Sequence, residues 1–160
     1  MFELTILATG KLKEPHYLAA CQEYQKRLGA YARVQVIELP EQRLPDQPTL
    51  AQIQAALAKE ARALEQKLPR GAFVCVLTPE GKQLSSQQLA QRLSALKSGG
   101  GSAAVFVLGS SYGLDEAFKR RADLRLSMSA MTFPHHLARV MLLEQLYRAE
   151  TIQAGGKYHK

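Results

Sequence analysis

Two uninterrupted apolar runs, residues 72–77 and 103–108, constrain the fold of this chain more than any other feature. Strands that are apolar throughout are covered on both faces, as in parallel sheets flanked by helices. Five strand patterns alternate with five stretches of helical apolar spacing. This alternation predicts an α/β fold with a mostly parallel sheet and helices on both faces. We expect strands at about 2–8, 34–39, 73–77, 103–108 and 124–127, and helices at about 15–28, 50–67, 85–98, 115–121 and 132–149.

Length and composition indicate one ordinary globular domain that spans residues 1–160. The chain is 46% hydrophobic and 22% charged, which excludes a disordered tail or a fibre. Its 21 lysines and arginines outnumber 14 acidic residues, giving a net charge of +7. Residues 119–160 alone carry 8 basic and 3 acidic residues. This surplus suggests a polyanionic partner, although a solvated basic face is an equally valid interpretation.

The cysteines and the N-terminus indicate a cytoplasmic protein without a metal. Cys21 and Cys75 lie far apart and lack metal-ligand spacing, so free thiols are predicted. The N-terminus shows no basic segment followed by an apolar stretch, as a signal peptide would. The longest apolar runs are about six residues, against the roughly 20 that span a bilayer. We therefore expect cytoplasmic localisation and no membrane association.

The ends of the predicted helices are marked by capping residues. Thr49 is predicted to cap the second helix, whose apolar stripe begins at Leu50. Ser85 opens a capping box for the third helix. In parallel sheets, ligands bind beyond the carboxyl ends of the strands. The loops that follow three of the strands, at 78–84, 109–113 and 128–133, are therefore the predicted ligand-binding edge.

These loops lack several well-known catalytic and nucleotide-binding motifs. There is no G-x-x-x-x-G-K-[ST], no G-x-G-x-x-G after the first strand and no G-x-S-x-G. The loop 109–113 has a glycine at each end, which suits either an ordinary turn or a ligand close to the backbone. Small residues and two methionines at 128–133 would suit an adenine ring held by backbone groups. Plain core packing is the alternative interpretation of those methionines.

The last helix and the C-terminal tail carry further candidates. His135 and Arg139 are four residues apart and share a helix face. The helix is apolar on more than one side, which indicates that it packs against both the core and a second subunit. Tyr158 and His159 lie in a glycine-preceded tail that is either a frayed terminus or a mobile functional segment. An imidazole can accept a proton near neutral pH.

Together, several segments resemble one family. They are SAMTFPH at 129–135, Arg139-Val140, LEQLYRA at 143–149, YHK at 158–160, LATGKLK at 7–13 and GKQLSS at 81–86. In this order they are similar to the ribosomal RNA large-subunit methyltransferase H family of the SPOUT class. The resemblance covers essentially the whole chain, and its C-terminal block is the most specific part.

The resemblance implies a small homodimeric α/β enzyme with a trefoil knot near its C-terminus. Such an enzyme uses S-adenosylmethionine, without a metal, to methylate N3 of a pseudouridine in the large ribosomal RNA of the assembled ribosome. The implied cofactor pocket consists of Leu77, Gly109, Met128, Ser129, Ala130, Met131, Thr132 and Phe133. The implied catalytic residues are His135 and Arg139 near the target base, with Tyr158 and His159 closing the site from the partner subunit.

Two residues depart from the family pattern. Ser110 stands where members usually have a second glycine, and Tyr112 replaces a smaller or acidic residue. A positive φ at Ser110 would cost about 1 kcal/mol. These departures leave two other interpretations open. One is a non-catalytic ribosome- or RNA-binding protein with the same fold, and the other is a SPOUT methyltransferase that acts on transfer RNA.

Overall fold

The computed structural model describes all 160 residues and contains the ten predicted elements in the predicted order. The strands are β1 (Glu3–Thr9), β2 (Arg33–Leu39), β3 (Phe73–Gln83), β4 (Ala103–Leu108) and β5 (Leu124–Ser127). The helices are α1 (Pro15–Leu28), α2 (Leu50–Glu65), α3 (Ser86–Ser98), α4 (Glu116–Arg121) and α5 (His135–Gln153). Thr49 and Ser85 form the predicted caps of α2 and α3, and both make a complete capping box.

All five strands belong to one parallel sheet with the order β2-β1-β4-β3-β5. The expectation of a mostly parallel sheet is therefore confirmed. Leu7 at the centre pairs with Ile37 on one side and Val107 on the other. Because the strands run in the same direction, their carboxyl ends meet at a single edge. The loops at 109–113 and 128–133, and the segment that leaves the sheet after Leu77, lie along this edge.

Alternation of side chains along the strands creates two cores, which confirms the prediction of helices on both faces. On one face, Ile6, Cys75 and Phe106 pack with α1, α3 and α5. On the other face, Val76 and Val107 pack with α2 and α4. Each fully buried side chain of this size contributes about 1.5–3 kcal/mol through burial. The second core is smaller, and α2 supplies only Ala61 and Leu64 to it as buried apolar residues.

Three local expectations differ from the structure. The loop expected at residues 78–84 is instead part of β3, which continues to Gln83 after a break in pairing. Leu77 and Lys82 both align with Leu126 of β5, so the intervening residues leave the sheet and return to it. Leu50 does not join the apolar stripe, because the first turn of α2 is solvated and leaves it 70% exposed. Helix α5 ends at Gln153 rather than near 149.

None of the five helices combines the length and the apolar character that crossing a bilayer requires. Cys21 and Cys75 are buried free thiols, as predicted. The homodimer and the C-terminal knot stay predictions.

Candidate active site

A cavity of about 680 Å³ opens at the carboxyl edge of β3, β4 and β5. Three chain segments form its walls: the excursion of β3 after Leu77, the loop between β4 and α4, and the loop between β5 and α5. Its lining combines large apolar side chains with backbone and hydroxyl groups, as ligand sites for flat organic molecules do. The lining residues are Leu77, Thr78, Pro79, Leu108, Gly109, Ser110, Ser111, Tyr112, Gly113, Lys119, Met128, Ser129, Met131, Thr132, Phe133, Pro134, His135 and Ala138.

The loop after β4 folds tightly back on itself. Ser110 and Gly113 exchange two backbone hydrogen bonds, with N···O distances of 3.2 and 2.9 Å. A Cβ on Gly109 would lie 2.3 Å from the carbonyl oxygen of Gly113, so only glycine fits there. Gly113 has φ of 86°, which glycine adopts without strain. Ser110 is not strained, because no residue other than glycine has a positive φ.

The loop after β5 is held by two short-range hydrogen bonds. The Ser127 hydroxyl donates to the carbonyl oxygen of Ser129 at 3.0 Å, and the Ser129 hydroxyl accepts from the backbone N–H of Met131 at 3.0 Å. The Met131 side chain is 75% exposed and extends over the cavity rim. An unbranched thioether in this position can adjust to the shape of a bound ring.

The wall formed by β3 and α4 is polar. The Thr78 hydroxyl is buried and makes no close hydrogen bond within the chain, although it lies near enough to Glu80 to help lower the pKa of that carboxyl group. Lys119 lines the cavity but is engaged, because its Nζ lies 2.8 Å from Glu80 and 3.0 Å from Glu116. The Lys119 ammonium is the main group that lowers the pKa of Glu80, to about 2. A buried hydroxyl without a partner usually marks a place where water or a ligand completes the hydrogen bond.

Helix α5 begins at the cavity and brings one predicted catalytic residue, His135, to its lining. His135 lines the cavity, and burial followed by the neighbouring His136 lowers its pKa, so its imidazole is neutral at pH 7. Arg139 lies one turn later and is only 4% exposed. Its guanidinium donates to Glu38 at 2.7 Å and to the carbonyl oxygen of Gly10 at 3.3 Å. Arg139 therefore anchors α5 to the ends of β1 and β2, and it does not line the cavity.

The C-terminal tail lies along α5, away from this cavity in the same chain. The Tyr158 hydroxyl donates to Glu144 at 3.0 Å, and its ring packs edge-on against Tyr147 with centroids 4.7 Å apart. Burial, then the hydrogen bond to Glu144, raises the pKa of Tyr158 to about 12. His159 Nδ1 lies 3.2 Å from the Arg148 guanidinium. Glu144 is nine residues beyond His135, or about 13 Å along a helix.

The structure thus groups most, but not all, of the predicted site residues. Leu77, Gly109, Met128, Ser129, Met131, Thr132 and Phe133 line the cavity, whereas Ala130 does not. His135 joins them and Arg139 lies one turn further along α5. Tyr158 and His159 form a separate group with Glu144 and Arg148.

Lys119 and Glu60 were not predicted, and Thr78 was predicted only as part of the segment 78–84 at the ligand-binding edge. Lys119 reaches the cavity because β3 leaves the sheet beside α4, a detail that no local pattern indicates. Glu60 is buried on α2 and its carboxylate binds the Ser110 hydroxyl. The burial of Glu60 could have been predicted from the sequence. Glu60 occupies the apolar stripe of α2, seven residues after Ile53 and four before Leu64.

Comparison with known proteins identifies the class to which this fold and cavity belong. A family model described as "Predicted SPOUT methyltransferase" matches residues 2–159. A probable methyltransferase from Bordetella pertussis has a similar structure, with a TM-score of 0.59, 18% identity, and coverage of 92% of this chain and 95% of that one. A probable methylase family protein from Haemophilus influenzae has a TM-score of 0.53 at 13% identity, covering 99% of this chain and 70% of that one. These two likenesses support the fold alone.

Relatives at higher identity define the family. A protein from Moorella thermoacetica named ribosomal RNA large subunit methyltransferase H is 44% identical over 160 residues, the full length of both chains. Proteins of the same name from Leuconostoc citreum and Streptococcus equi subsp. equi are 40% and 42% identical over 98% and 99% of this chain, and over 99% of their own lengths. The chain is therefore a SPOUT methyltransferase and belongs to the ribosomal RNA large subunit methyltransferase H family.

Proposed function

We propose that the protein uses S-adenosylmethionine to methylate N3 of a pseudouridine in large-subunit ribosomal RNA, on the assembled ribosome. The observation that carries this proposal is the cavity at the ends of β3, β4 and β5, in a chain 44% identical over its full length to a protein named ribosomal RNA large subunit methyltransferase H. The surplus of positive charge in the last quarter of the chain is consistent with an RNA substrate.

The residues of the cavity suit a cofactor that has an adenosine part. Leu77, Met128 and Phe133 offer apolar contact for a flat ring, and the loop at Gly109 exposes backbone groups. The buried Thr78 hydroxyl, which lies beside Glu80, offers one further hydrogen bond to a polar ligand atom. When bound, S-adenosylmethionine supplies a methyl group that is already activated on a sulfonium centre, so no metal is required.

The protein must then bring the target base to the cavity and accept its N3 proton. Placing N3 in line with the reacting carbon is a proximity effect, and it accounts for a large part of the rate in such reactions. We assign acceptance of the proton to His159 and assistance in closing the site to Tyr158. The neutral His135 at the rim would contact the base, and the Arg139 cation would stabilise the negative charge that develops on the imide.

This assignment requires a second subunit. Within one chain, Tyr158 contacts Glu144, about 13 Å along α5 from His135. Val140, Met141 and Glu144 on α5 also line a second cavity, of about 450 Å³, next to Leu84. An α5 face that is apolar and only partly covered fits a helix of a second copy. We propose that the tail of one subunit completes the cavity of the other.

The loop after β1 offers a contact for RNA phosphates beside the site. Lys11 and Lys13 are exposed. Two acids of the same region are paired, since Glu38 binds Arg139 and the backbone N–H of Leu12, and the partly exposed Glu14 binds His136. Lys11 and Lys13 have no such partner, so both ammonium groups can contact phosphates.

The proposal is tested by mixing the protein with radiolabelled S-adenosylmethionine and either ribosomes, isolated large-subunit RNA or transfer RNA. We expect label in the ribosomal sample only, at a single pseudouridine. Labelled transfer RNA would instead favour the alternative substrate. No binding of the cofactor by calorimetry would favour a non-catalytic RNA-binding protein.

A further inference from the structure

Glu60 is a buried acid that the proposed chemistry does not use. It lies on α2, is 6% exposed, and stands among apolar residues of the smaller core. An isolated carboxylate at such a position is costly unless hydrogen bonds compensate for its lost hydration. Glu60 accepts hydrogen bonds from two separate segments of the chain and thereby connects them.

Each carboxylate oxygen of Glu60 accepts one hydrogen bond from a different loop. Oε1 accepts from the Ser110 hydroxyl at 2.9 Å, and Ser110 belongs to the cavity loop after β4. Oε2 accepts from the backbone N–H of Gln42 at 2.7 Å, in the segment that follows β2. A third bond joins the same two segments directly, because the backbone N–H of Ser111 donates to Glu41 at 3.3 Å.

The loop that carries Ser110 has few other fixed points. Ser110 and Gly113 bond only to each other through the backbone, and Tyr112 at the tip is 47% exposed. The hydroxyl of Ser110 is thus the side-chain link between this hairpin and the helix behind it.

We propose that Glu60 is a positioning residue that, through the Ser110 hydroxyl, holds the loop after β4 in the conformation that binds the cofactor. The inference rests on the proposed function, because it assumes that the cavity holds S-adenosylmethionine. Glu60 itself does not line the cavity, so it acts on the ligand through the loop, and its direct contact with that loop is the Ser110 hydroxyl.

Calorimetric titration with S-adenosylmethionine tests this inference in Ser110→Gly, Ser110→Ala and Glu60→Gln. Each variant is expected to bind about tenfold more weakly, the scale of one hydrogen bond to a charged group. If Glu60 acts through Ser110, Glu60→Gln combined with Ser110→Ala loses no more affinity than the larger single effect. Glu65→Gln, on the exposed part of the same helix where it pairs with Arg121, is the matched control.

The pH dependence of cofactor affinity separates this role from general damage to the fold. Protonation of Glu60 would replace two charge-assisted hydrogen bonds by neutral ones about half as strong. We expect affinity to fall from alkaline to mildly acidic pH in the wild type and less so in Glu60→Gln. Glu41 is the titratable group that faces Glu60 from another segment, and His135 shares the cavity; both are retained in every variant.

The outcomes distinguish two failures. If the wild type does not bind S-adenosylmethionine, the proposed function is wrong. If the wild type binds but the Ser110 and Glu60 variants bind equally well, or if the two substitutions act additively, the positioning role is wrong and the proposed function stands. Melting temperatures measured on the same samples establish that each variant is folded.

Discussion

Single residues of the site are fixed by partners far away in the sequence. Ser110 binds Glu60, 50 residues earlier, and Arg139 binds Glu38, 101 residues earlier. Both arrangements satisfy a buried charge, which would otherwise be unfavourable in the interior. The strength of the Ser110–Glu60 contact therefore depends on whether Glu60 carries its proton. A substitution at Glu60 tests folding stability, whereas a substitution of the tail residue His159 tests the chemical step.

At Glu60, we predict a pH-dependent contribution to stability. Burial is the main cause that raises its pKa in the folded protein. A raised pKa means that the folded state binds the proton more readily, so the contribution is full at low pH and is lost as pH rises through the folded-state pKa. The melting temperature of the wild type relative to Glu60→Gln should therefore increase as pH falls below neutrality. A difference that is constant with pH would contradict this.

At His159, we predict a role in the chemical step. Single-turnover methylation by His159→Ala, with cofactor bound at saturation, should be slower by about 10²–10⁴-fold, the range for loss of a general base. His16→Ala, an exposed histidine on α1, is the control. A rate equal to that of the wild type would remove His159 from the chemistry and leave solvent as the proton acceptor.

The elements that form the cavity were predictable to different degrees. The strands and helices follow from apolar periodicity and capping residues, which are local properties, and the ligand-binding edge follows from the parallel sheet. The excursion in β3 was not predictable, because it depends on how β3 pairs with β5, about 45 residues away. The contact of Ser110 with Glu60 depends likewise on packing between α2 and a loop. Local patterns thus located the cavity but not its polar wall.

The loop after β4 should not tolerate a side chain at its first position. In Gly109→Ala, the new Cβ would meet the Gly113 carbonyl oxygen at 2.3 Å, so the hairpin must open. We expect cofactor affinity to fall at least about tenfold, with a lower melting temperature, as overpacking costs about 1–3 kcal/mol. Gly29→Ala is the matched control, because φ there is −57° and the nearest atom is 3.2 Å away. Calorimetry and thermal unfolding measure both effects, and equal cofactor affinity in the two variants would contradict the prediction.

For the whole molecule, the separation of the tail from the cavity predicts complementation between subunits. Gly109→Ala damages a cavity and His159→Ala damages a tail, so each homodimer should be much less active than the wild type when the cofactor is kept below the Kd of Gly109→Ala. Heterodimers formed by unfolding and refolding an equal mixture would hold one intact cavity next to one intact tail. The mixture should recover about a quarter of the wild-type sites. If the mixture regains no activity, each active site is formed by the cavity and the tail of the same chain.

The charge distribution predicts a second property of the whole molecule. The proposed homodimer would double the net charge of +7 and would bring two basic C-terminal segments together. Ribosome affinity should therefore fall steeply as salt increases, while affinity for the cofactor should hardly change. Lys11→Ala combined with Lys13→Ala should make the salt dependence shallower. Binding assays over a salt series measure this, and parallel slopes for the wild type and this variant would exclude the loop after β1 from phosphate contact.

Because β3 leaves the sheet and returns to it, the pocket wall formed by this excursion can change while the sheet stays the same. Because Leu77 and Lys82 both align with Leu126, the strand resumes its pairing where it left it. Insertions or deletions among residues 78–80 would change the depth and polarity of one pocket wall without changing the strand register. Only the return point is constrained, because a Cβ on Gly81 would lie 2.7 Å from the backbone of Arg125. A set of variants with different lengths of this excursion would therefore differ in ligand preference while they keep the same sheet.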